Sequence, residues 1–499
     1  MSLALHYKGT FLLQNTNKNG RFIASEEAYP YKAKEIHMFS RRAIEEIKAW
    51  YNQSKRKPLV IRGARQVGKT TAVRLAASQL SVEIMEINLE RHQELEPLFK
   101  SYKLDDLLFN MSLISGKTIT RQSKGILFLD EAQATPAAYS CLRYFWEEMP
   151  ELAVILTGSL LDQVLHDDKL STPVGRVEYL FMAPLTFDEF LAATDASKAL
   201  NTIGMLTLGN IHLLPDSVHD ELMAQVRRYT LTGGMPSCVQ TAINTNFNHA
   251  EIVKYQTELL QAYKDDFSKY AGSQTALKLN AFFNGIISQI GLQFSHKQAN
   301  EIALNSSGNN RQLNDSLERF LEARLFYRVL HSGAGSIPLG GDTKIRISKF
   351  LFLDLGLLLA AQGIPAQTIM SSPLELANRG VIAEQFVGQQ LLAAKPGYVN
   401  PSLYYWQPPK SEAQAEIDFL YERGNKVYPV EVKSGTGGTI KSLHSYMVKK
   451  HADQAIRISS AKPSLQELVA KVNNTAKPFR LINLPFYLVN QIDRMVSDV

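Results

Sequence analysis

The chain has 499 residues, more than one hydrophobic core normally serves, and 45% of them are apolar against 20% charged. That describes a folded protein of several domains and excludes a disordered or collagen-like chain. A net charge of +6 is compatible with nucleic acid but too small to demand it. The two cysteines, Cys141 and Cys238, have no metal or redox spacing and fit a reduced, cytoplasmic compartment. The first residues, MSLALHYKGTFLLQ, lack the basic-then-apolar pattern of a signal peptide. The most apolar late stretch, residues 350–361, is short and contains Asp354. It reads as core, with no membrane partner.

Residues 1–38 are polar and mixed, an N-terminal arm or small β-hairpin, and residues 39–51 (FSRRAIEEIKAWY) form an amphipathic helix. Residues 59–75 (LVIRGARQVGKTTAVRL) then place an apolar strand, the pattern G-x-x-x-x-G-K-[ST] and a helical repeat in succession. This is the phosphate-binding loop in its required context. Glycines let backbone wrap a phosphate, and the helix N-terminus supplies free N–H groups and partial positive charge. The expected nucleotide cradle is Gly63, Ala64, Arg65, Gln66, Val67, Gly68, Lys69, Thr70 and Thr71. Lys69 reaches the β/γ-phosphates of ATP, and Thr70 is a ligand for Mg2+.

Residues 82–89 read as a second strand and 95–115 as helical. Residues 126–129 (ILFL) run into Asp130 and Glu131. Carboxylates at that strand end suit the strand beside the phosphate loop, with Asp130 holding Mg2+ and Glu131 as general base toward the attacking water. After a helix at 137–146, residues 154–156 form a strand ending in Thr157-Gly158-Ser159. The Ser159 hydroxyl is either a γ-phosphate sensor or part of an ordinary strand-to-helix turn. Strands alternating with helices predict a parallel sheet with its ligand at the strand carboxyl ends.

GARQVGKTT, ILFLDEAQ, ILTGS, Gly175-Arg176-Val177 and PLTFDEFL resemble a group of prokaryotic AAA-type ATPases. In that group a C-terminal domain of unknown function follows the ATPase and is regarded as similar to restriction-endonuclease-like folds. The resemblance continues through Thr232-Gly-Gly-Met-Pro236, Asp354-Leu-Gly-Leu357 and Glu431-Val-Lys433. It implies that Arg176 is an arginine finger acting in its own or a neighbouring subunit, which leaves a homo-oligomer open. A surface or salt-bridged arginine is the alternative.

Residues 189–265 are mostly helical and are expected as a lid, with 263–270 as a connector. Helices at 276–290, 295–304 and 311–323, then strands at 325–330 and 344–347, read as a winged helix-turn-helix. Its third helix would present Asn309, Asn310, Arg311, Gln312 and Asn314 to a groove. Lys344, Arg346 and Lys349 would meet phosphates.

Residues 380–394 form a helix containing Glu384, residues 403–406 an aromatic strand, and residues 416–421 and 426–433 a hairpin. Period two puts Glu431 and Lys433 on one face and Val430 and Val432 on the other. An aspartate, Asp418, followed by E-x-K is the pattern of PD-(D/E)xK nucleases, although Ile417 stands where that pattern has proline. Asp418, Glu431 and Glu384 would be the metal ligands, and Lys433 would be catalytic at the scissile phosphate. Tyr404, Tyr405 and Trp406 are expected as packing residues.

The expected organisation is a multidomain α/β protein. It comprises an arm (1–38), an AAA-type P-loop core (39–192), a helical lid (193–275), a winged-helix domain (276–365) and an α/β endonuclease-like domain (366–499). Two functions fit. One is an ATPase acting on DNA with a C-terminal Mg2+-dependent nuclease. The other is an ATP-switched module whose C-terminal domain docks a protein partner without catalysis.

Overall fold

Leu59–Arg62, Ile84–Asn88, Ile126–Asp130, Ala153–Thr157 and Glu178–Phe181 make one parallel sheet. The computed structural model describes residues 6–7, 10–11, 15–16, 22–23 and 39–497, except 159–172, 174, 270–272, 296, 300–309, 371–378, 409–414 and 437–438. Residues 1–38 form a unit of their own. In it, β1 (His6–Tyr7) pairs with β2 (Thr10–Phe11), and β3 (Asn15–Thr16) with β4 (Phe22–Ile23).

From residue 39 onward the chain is one compact unit. Its first sheet contains β5 (Leu59–Arg62), β6 (Ile84–Asn88), β7 (Ile126–Asp130), β8 (Ala153–Thr157) and β9 (Glu178–Phe181), in the order β6-β7-β8-β5-β9. Alternation along each strand feeds two cores. Leu59, Ile61, Phe128 and Ile155 pack with the helices Arg42–Tyr51 and Lys69–Leu80. Val60, Leu127, Leu129 and Leu156 pack with Ala137–Glu148 and its neighbours on the other face. With both faces covered the strands read as continuous apolar runs, which is why they were legible. β9 has no counterpart among the expected strands, because only Leu180 of its four residues is fully buried. The expected helix over 95–115 is two helices, Glu96–Ser101 and Leu104–Ser115, parted at Tyr102 with φ 56°.

One expectation is corrected here. β7, which carries Asp130, does not lie beside β5; β8 intervenes and pairs with both. The strand neighbouring the phosphate loop therefore ends in Thr157. Chain order cannot show this, because the intervening strand comes later in sequence than either neighbour.

Five α-helices follow: Phe187–Ala193, Ser197–Met205, Asp216–Thr232, Pro236–Asn244 and His249–Lys269. The expected connector at 263–270 is continuous with the last of them as far as Lys269. Ser273–Ile287 and Asn310–Glu322 are helical as expected; the middle helix of the predicted winged motif is described only at 297–299. Phe326–Ser332 (β10) and Thr343–Phe352 (β11) pair antiparallel.

This hairpin is not a free wing. β10 also pairs in parallel with β12 (Leu403–Trp406), so β11 and β10 are the first two strands of an eight-stranded sheet. The remaining strands are β13 (Ile417–Arg423), β14 (Lys426–Val432), β15 (Gln454–Ser459), β16 (Ser464–Val472) and β17 (Thr475–Pro485), in the order β11-β10-β12-β13-β14-β15-β17-β16. The expected boundary at 365/366 thus divides one hydrogen-bonded sheet. The helix Arg379–Ala394 packs Ile382, Phe386, Val387 and Leu391 on one face against Val430, Val432, Ile456 and Ile482. The helix Lys441–Lys450 covers the other face through Leu443, Tyr446 and Met447. Tyr405 and Trp406 are buried, as expected for packing residues. Among the described residues no helix is long and apolar enough to cross a membrane.

Candidate functional site

The loop between β5 and the helix Lys69–Leu80 closes tightly against the exit of β9. A Cβ on Gly63 would lie 2.3 Å from the Met182 carbonyl oxygen, so glycine is required there. The Lys69 ammonium donates to the carbonyls of Gly63 and Ala64, each at 2.9 Å. Burial pushes its pKa down to about 8, against the opposing pull of Glu131 and Asp130. Thr70 Oγ1 donates to Asp130 Oδ2 at 2.9 Å, while the Thr157 hydroxyl donates to Asp130 Oδ1. One carboxylate at the end of β7 is therefore held by hydroxyls from the phosphate loop and from β8.

Glu131 follows in the left-handed region at φ 55°, an unfavourable conformation for a non-glycine residue. The Gln133 amide donates to its Oε2 at 2.6 Å. A buried ammonium, a helix N-terminus and a threonine hydroxyl on an aspartate form a donor set suited to a nucleoside triphosphate and its cation. Lys69, Thr70 and Asp130 are the residues that would hold them. Ser159 lies outside the described residues. Arg176 is half exposed and pairs with Glu147 at 3.3 Å; Glu147 also pairs with Arg143.

Residues far away in sequence brace this loop. Arg41 is buried, donates to the carbonyls of Val67 (3.1 Å) and Ala183 (2.7 Å), and pairs with Glu189 at 3.0 Å. Arg65 is bound to Asp266, and Tyr263 donates to the Arg65 carbonyl at 2.7 Å. A Cβ on Gly68 would meet Pro236 Cγ at 3.5 Å, so the T-G-G-M-P turn abuts the loop. None of these contacts has a local sequence signal, since each partner is a distant residue whose own surroundings are unremarkable.

The C-terminal candidate site is a cluster of carboxylates with lysines among them. Between Tyr404 and Trp406 of β12, the facing β13 inserts an extra residue. Ile417 and Leu420 consequently face one core, and Phe419 and Tyr421 the other. Such a bulge re-aims the side chain it carries, here Asp418, which accepts from the Val432 N–H at 2.7 Å. Lys433 donates to Glu431 Oε1 at 2.5 Å, while Glu431 Oε2 is buried without a hydrogen-bond partner.

Two members of the pocket were not expected. Glu416 binds the Lys349 ammonium, which also pairs with Glu384 at 3.4 Å. Lys349 is only 5% exposed, so it is not the phosphate-contacting wing residue foreseen for it. β11 is the edge strand of the sheet, but the Lys349 side chain is turned to carboxylates rather than to solvent. Lys344 is exposed and Asn314 is exposed; Asn309 and the side chains of Asn310, Arg311, Gln312 and Arg346 lie outside the described residues.

Burial first, then the Asp418 carboxylate, pushes Glu384 up to about 8, with Lys349 opposing. Burial likewise raises Asp418 to about 6 and Glu431 to about 7. Burial would lower Lys349, but Glu384, Glu416 and Asp418 together outweigh it and hold the ammonium above its ordinary value. Among the described residues, no three acidic, histidine or cysteine side chains are arranged to hold a metal ion. Glu384 and Glu416 are turned to Lys349, while Asp418 accepts from the Val432 N–H and Glu431 from Lys433.

Residues 55–191 match the family model described as "AAA domain". This part of the chain is an AAA-type ATPase domain. Residues 223–368 and 379–482 match two further families, each described as a domain of unknown function. A search of curated proteins finds no match. Among solved structures, the Walker-type ATPase PABY2304 of Pyrococcus abyssi is 14% identical, covering 65% of this chain and 96% of its own, with a TM-score of 0.41. The ORC2 protein of Aeropyrum pernix in ADPNP–ADP complexes is 12% identical, covering 66% and 94%, with a TM-score of 0.36. The RuvB Holliday junction branch migration motor of Thermotoga maritima is 15% identical, covering 58% and 90%, with a TM-score of 0.29. At so low an overlap these likenesses decide nothing about this chain's chemistry.

A buried polar network joins the ATPase domain to the C-terminal sheet. Gln390 accepts from Phe187 N (2.8 Å) and donates to the Tyr229 hydroxyl (3.0 Å), which donates to the Leu185 carbonyl (2.7 Å). Gln389 accepts from Leu355 N (2.9 Å) and donates to Tyr229 and to Asp354 Oδ2. Asp354 in turn accepts from Gly234 N of the T-G-G-M-P turn at 2.6 Å. The glutamines share the helix Arg379–Ala394 with Glu384.

Proposed function

We propose that the chain is a cytoplasmic ATP-hydrolysing switch that acts on DNA, its ATPase domain controlling a C-terminal pocket that handles phosphodiesters with a divalent cation. The observation that carries this reading is the helix Arg379–Ala394. It brings Glu384 to the acidic pocket and Gln389 and Gln390 to the network around the T-G-G-M-P turn, which itself lies against the phosphate loop.

In the ATPase domain Lys69 would leave its loop carbonyls for the β/γ-phosphates, and Thr70 with Asp130 would hold Mg2+, which supplies charge neutralisation there. Glu131 takes the proton of the attacking water, and Thr157 keeps the Asp130 carboxylate oriented. Arg176 is the candidate finger, in cis or from a neighbouring copy. Closure on nucleotide pulls the turn at Gly234 and so the helix bearing Glu384. In the C-terminal pocket Asp418, Glu431 and Glu384 would hold the cation, which supplies charge neutralisation at the phosphate. The unpartnered Glu431 Oε2 is the atom that fits such a role. Lys433 stabilises charge on the scissile phosphate.

A second reading is favoured by Lys349: with an ammonium already among the carboxylates, the C-terminal domain serves as a docking platform for a protein partner. Cleavage of labelled single- and double-stranded DNA with Mg2+ or Mn2+, with and without ATP, separates the two. On the first reading Lys433→Ala abolishes cutting, and Lys69→Ala abolishes its dependence on ATP. ATP turnover without cutting by wild type leaves the platform. Turnover unchanged in Lys69→Ala would remove the ATPase assignment.

A further inference from the structure

The carboxylate cluster contains its own cation. The Lys349 ammonium is bound to Glu416, pairs with Glu384 at 3.4 Å and lies 5.4 Å from the centre of the Tyr405 ring. Its side chain is 6% exposed, so these charges meet in a medium where an unpaired ion is costly. The other two carboxylates are each half engaged, Asp418 by the Val432 N–H and Glu431 by Lys433. Glu431 Oε2 alone is buried and unpartnered, in a side chain 5% exposed. The pocket therefore has an unused buried carboxylate oxygen, yet no three ligands gathered around it. Glu384 and Glu416 are instead both attached to Lys349.

We propose that Lys349 is an internal counter-ion that competes with a divalent cation for this pocket, holding Glu384 and Glu416 away from the Asp418–Glu431 pair until it withdraws. The inference rests on the reading that the pocket takes a cation. The position of Lys349 on β11 suits a gate. Three residues on, Phe352 exchanges two hydrogen bonds with Gln385, the neighbour of Glu384, at 2.9 and 2.8 Å. Five residues on, Asp354 holds Gly234. Both the lysine and its glutamate partner are thus attached to elements that reach the T-G-G-M-P turn.

The test is binding of Tb3+, a hard oxygen-seeking cation whose luminescence a nearby tyrosine sensitises; Tyr405 is the antenna. The decisive protein is the full chain carrying Lys349→Met with Glu416→Gln. That pair of changes leaves net charge as in wild type and frees Glu384 from its cation partner. It is expected to bind Tb3+ at least about ten-fold more tightly than wild type, since the tightening then reports vacated space and freed ligands rather than added negative charge. Lys349→Met alone is expected to bind at least as tightly as the double variant. Equal or weaker binding by the double variant than by wild type overturns the counter-ion role while leaving a cation site. Absence of tyrosine-sensitised Tb3+ binding in every protein overturns both this inference and the cation reading beneath it. An unchanged circular dichroism spectrum and a cooperative thermal unfolding transition certify that each variant is folded.

Discussion

Gly234 N donates to Asp354 Oδ2 at 2.6 Å across 120 residues of chain. This bond ties the turn beside the phosphate loop to the strand-to-helix corner that begins Leu355–Ala361. Asp354 is fully buried and also accepts from Leu357 N and from Gln389. Burial raises its pKa, and the N–H groups of Gly234 and Leu357 pull it back down. A Cβ on Gly233, at φ 73°, would fall 2.0 Å from Asp354 Oδ1, so the turn and the carboxylate are shaped to each other.

Asp354→Ala should therefore cost about 3 kcal/mol, because it leaves the buried N–H groups of Gly234 and Leu357 unpaired and takes one of two acceptors from the Gln389 amide. The midpoint of urea unfolding measures it. A loss below about 1 kcal/mol would mean that water takes over these donors and that the corner is not a tight joint.

Thr157→Val removes the hydroxyl that holds Asp130 while keeping side-chain volume. Expected is a fall in ATP turnover of about ten- to a hundred-fold, with nucleotide affinity changed by less than about three-fold. Steady-state hydrolysis and titration with a fluorescent nucleotide separate the two. Unchanged turnover would show that Thr70 alone orients the carboxylate.

Arg41→Met removes the guanidinium that joins the Val67 and Ala183 carbonyls and faces Glu189. A loss of about 2 kcal/mol in stability should accompany it. The phosphate loop, no longer held, should bind nucleotide about ten-fold more weakly. Thermal shift with and without ATP reads both effects.

Lys69 gives a pH signature in the nucleotide-free protein. Its pKa is about 8 when folded and 10.5 when unfolded. Between these values the unfolded chain binds more protons, so folding stability rises with pH across that window, by up to about 3 kcal/mol. Below the folded value the cost of the buried ammonium is present in full. The stability of wild type relative to Lys69→Met should accordingly increase between about pH 7.5 and about pH 9.5. Parallel curves for the two proteins would show that Lys69 is solvated.

The glycine loop, the acidic strand end and the alternation of helix with strand were legible because each is local. A phosphate loop needs its glycines, lysine and threonine within a few consecutive residues, and a strand covered on both faces needs an unbroken apolar run. The helix Arg379–Ala394 and the β13–β14 hairpin were legible for the same reason. What the tertiary structure decided is pairing across distance. It put β8 between β5 and β7, and so made Thr157 a partner of Asp130. It joined β10 and β11 to the C-terminal sheet, and so turned Lys349 from an expected surface contact into the buried partner of Glu384 and Glu416. A lysine in a strand pattern looks the same whether it meets water or carboxylates. Only the strand order, which depends on the summed packing of distant segments, distinguishes the two.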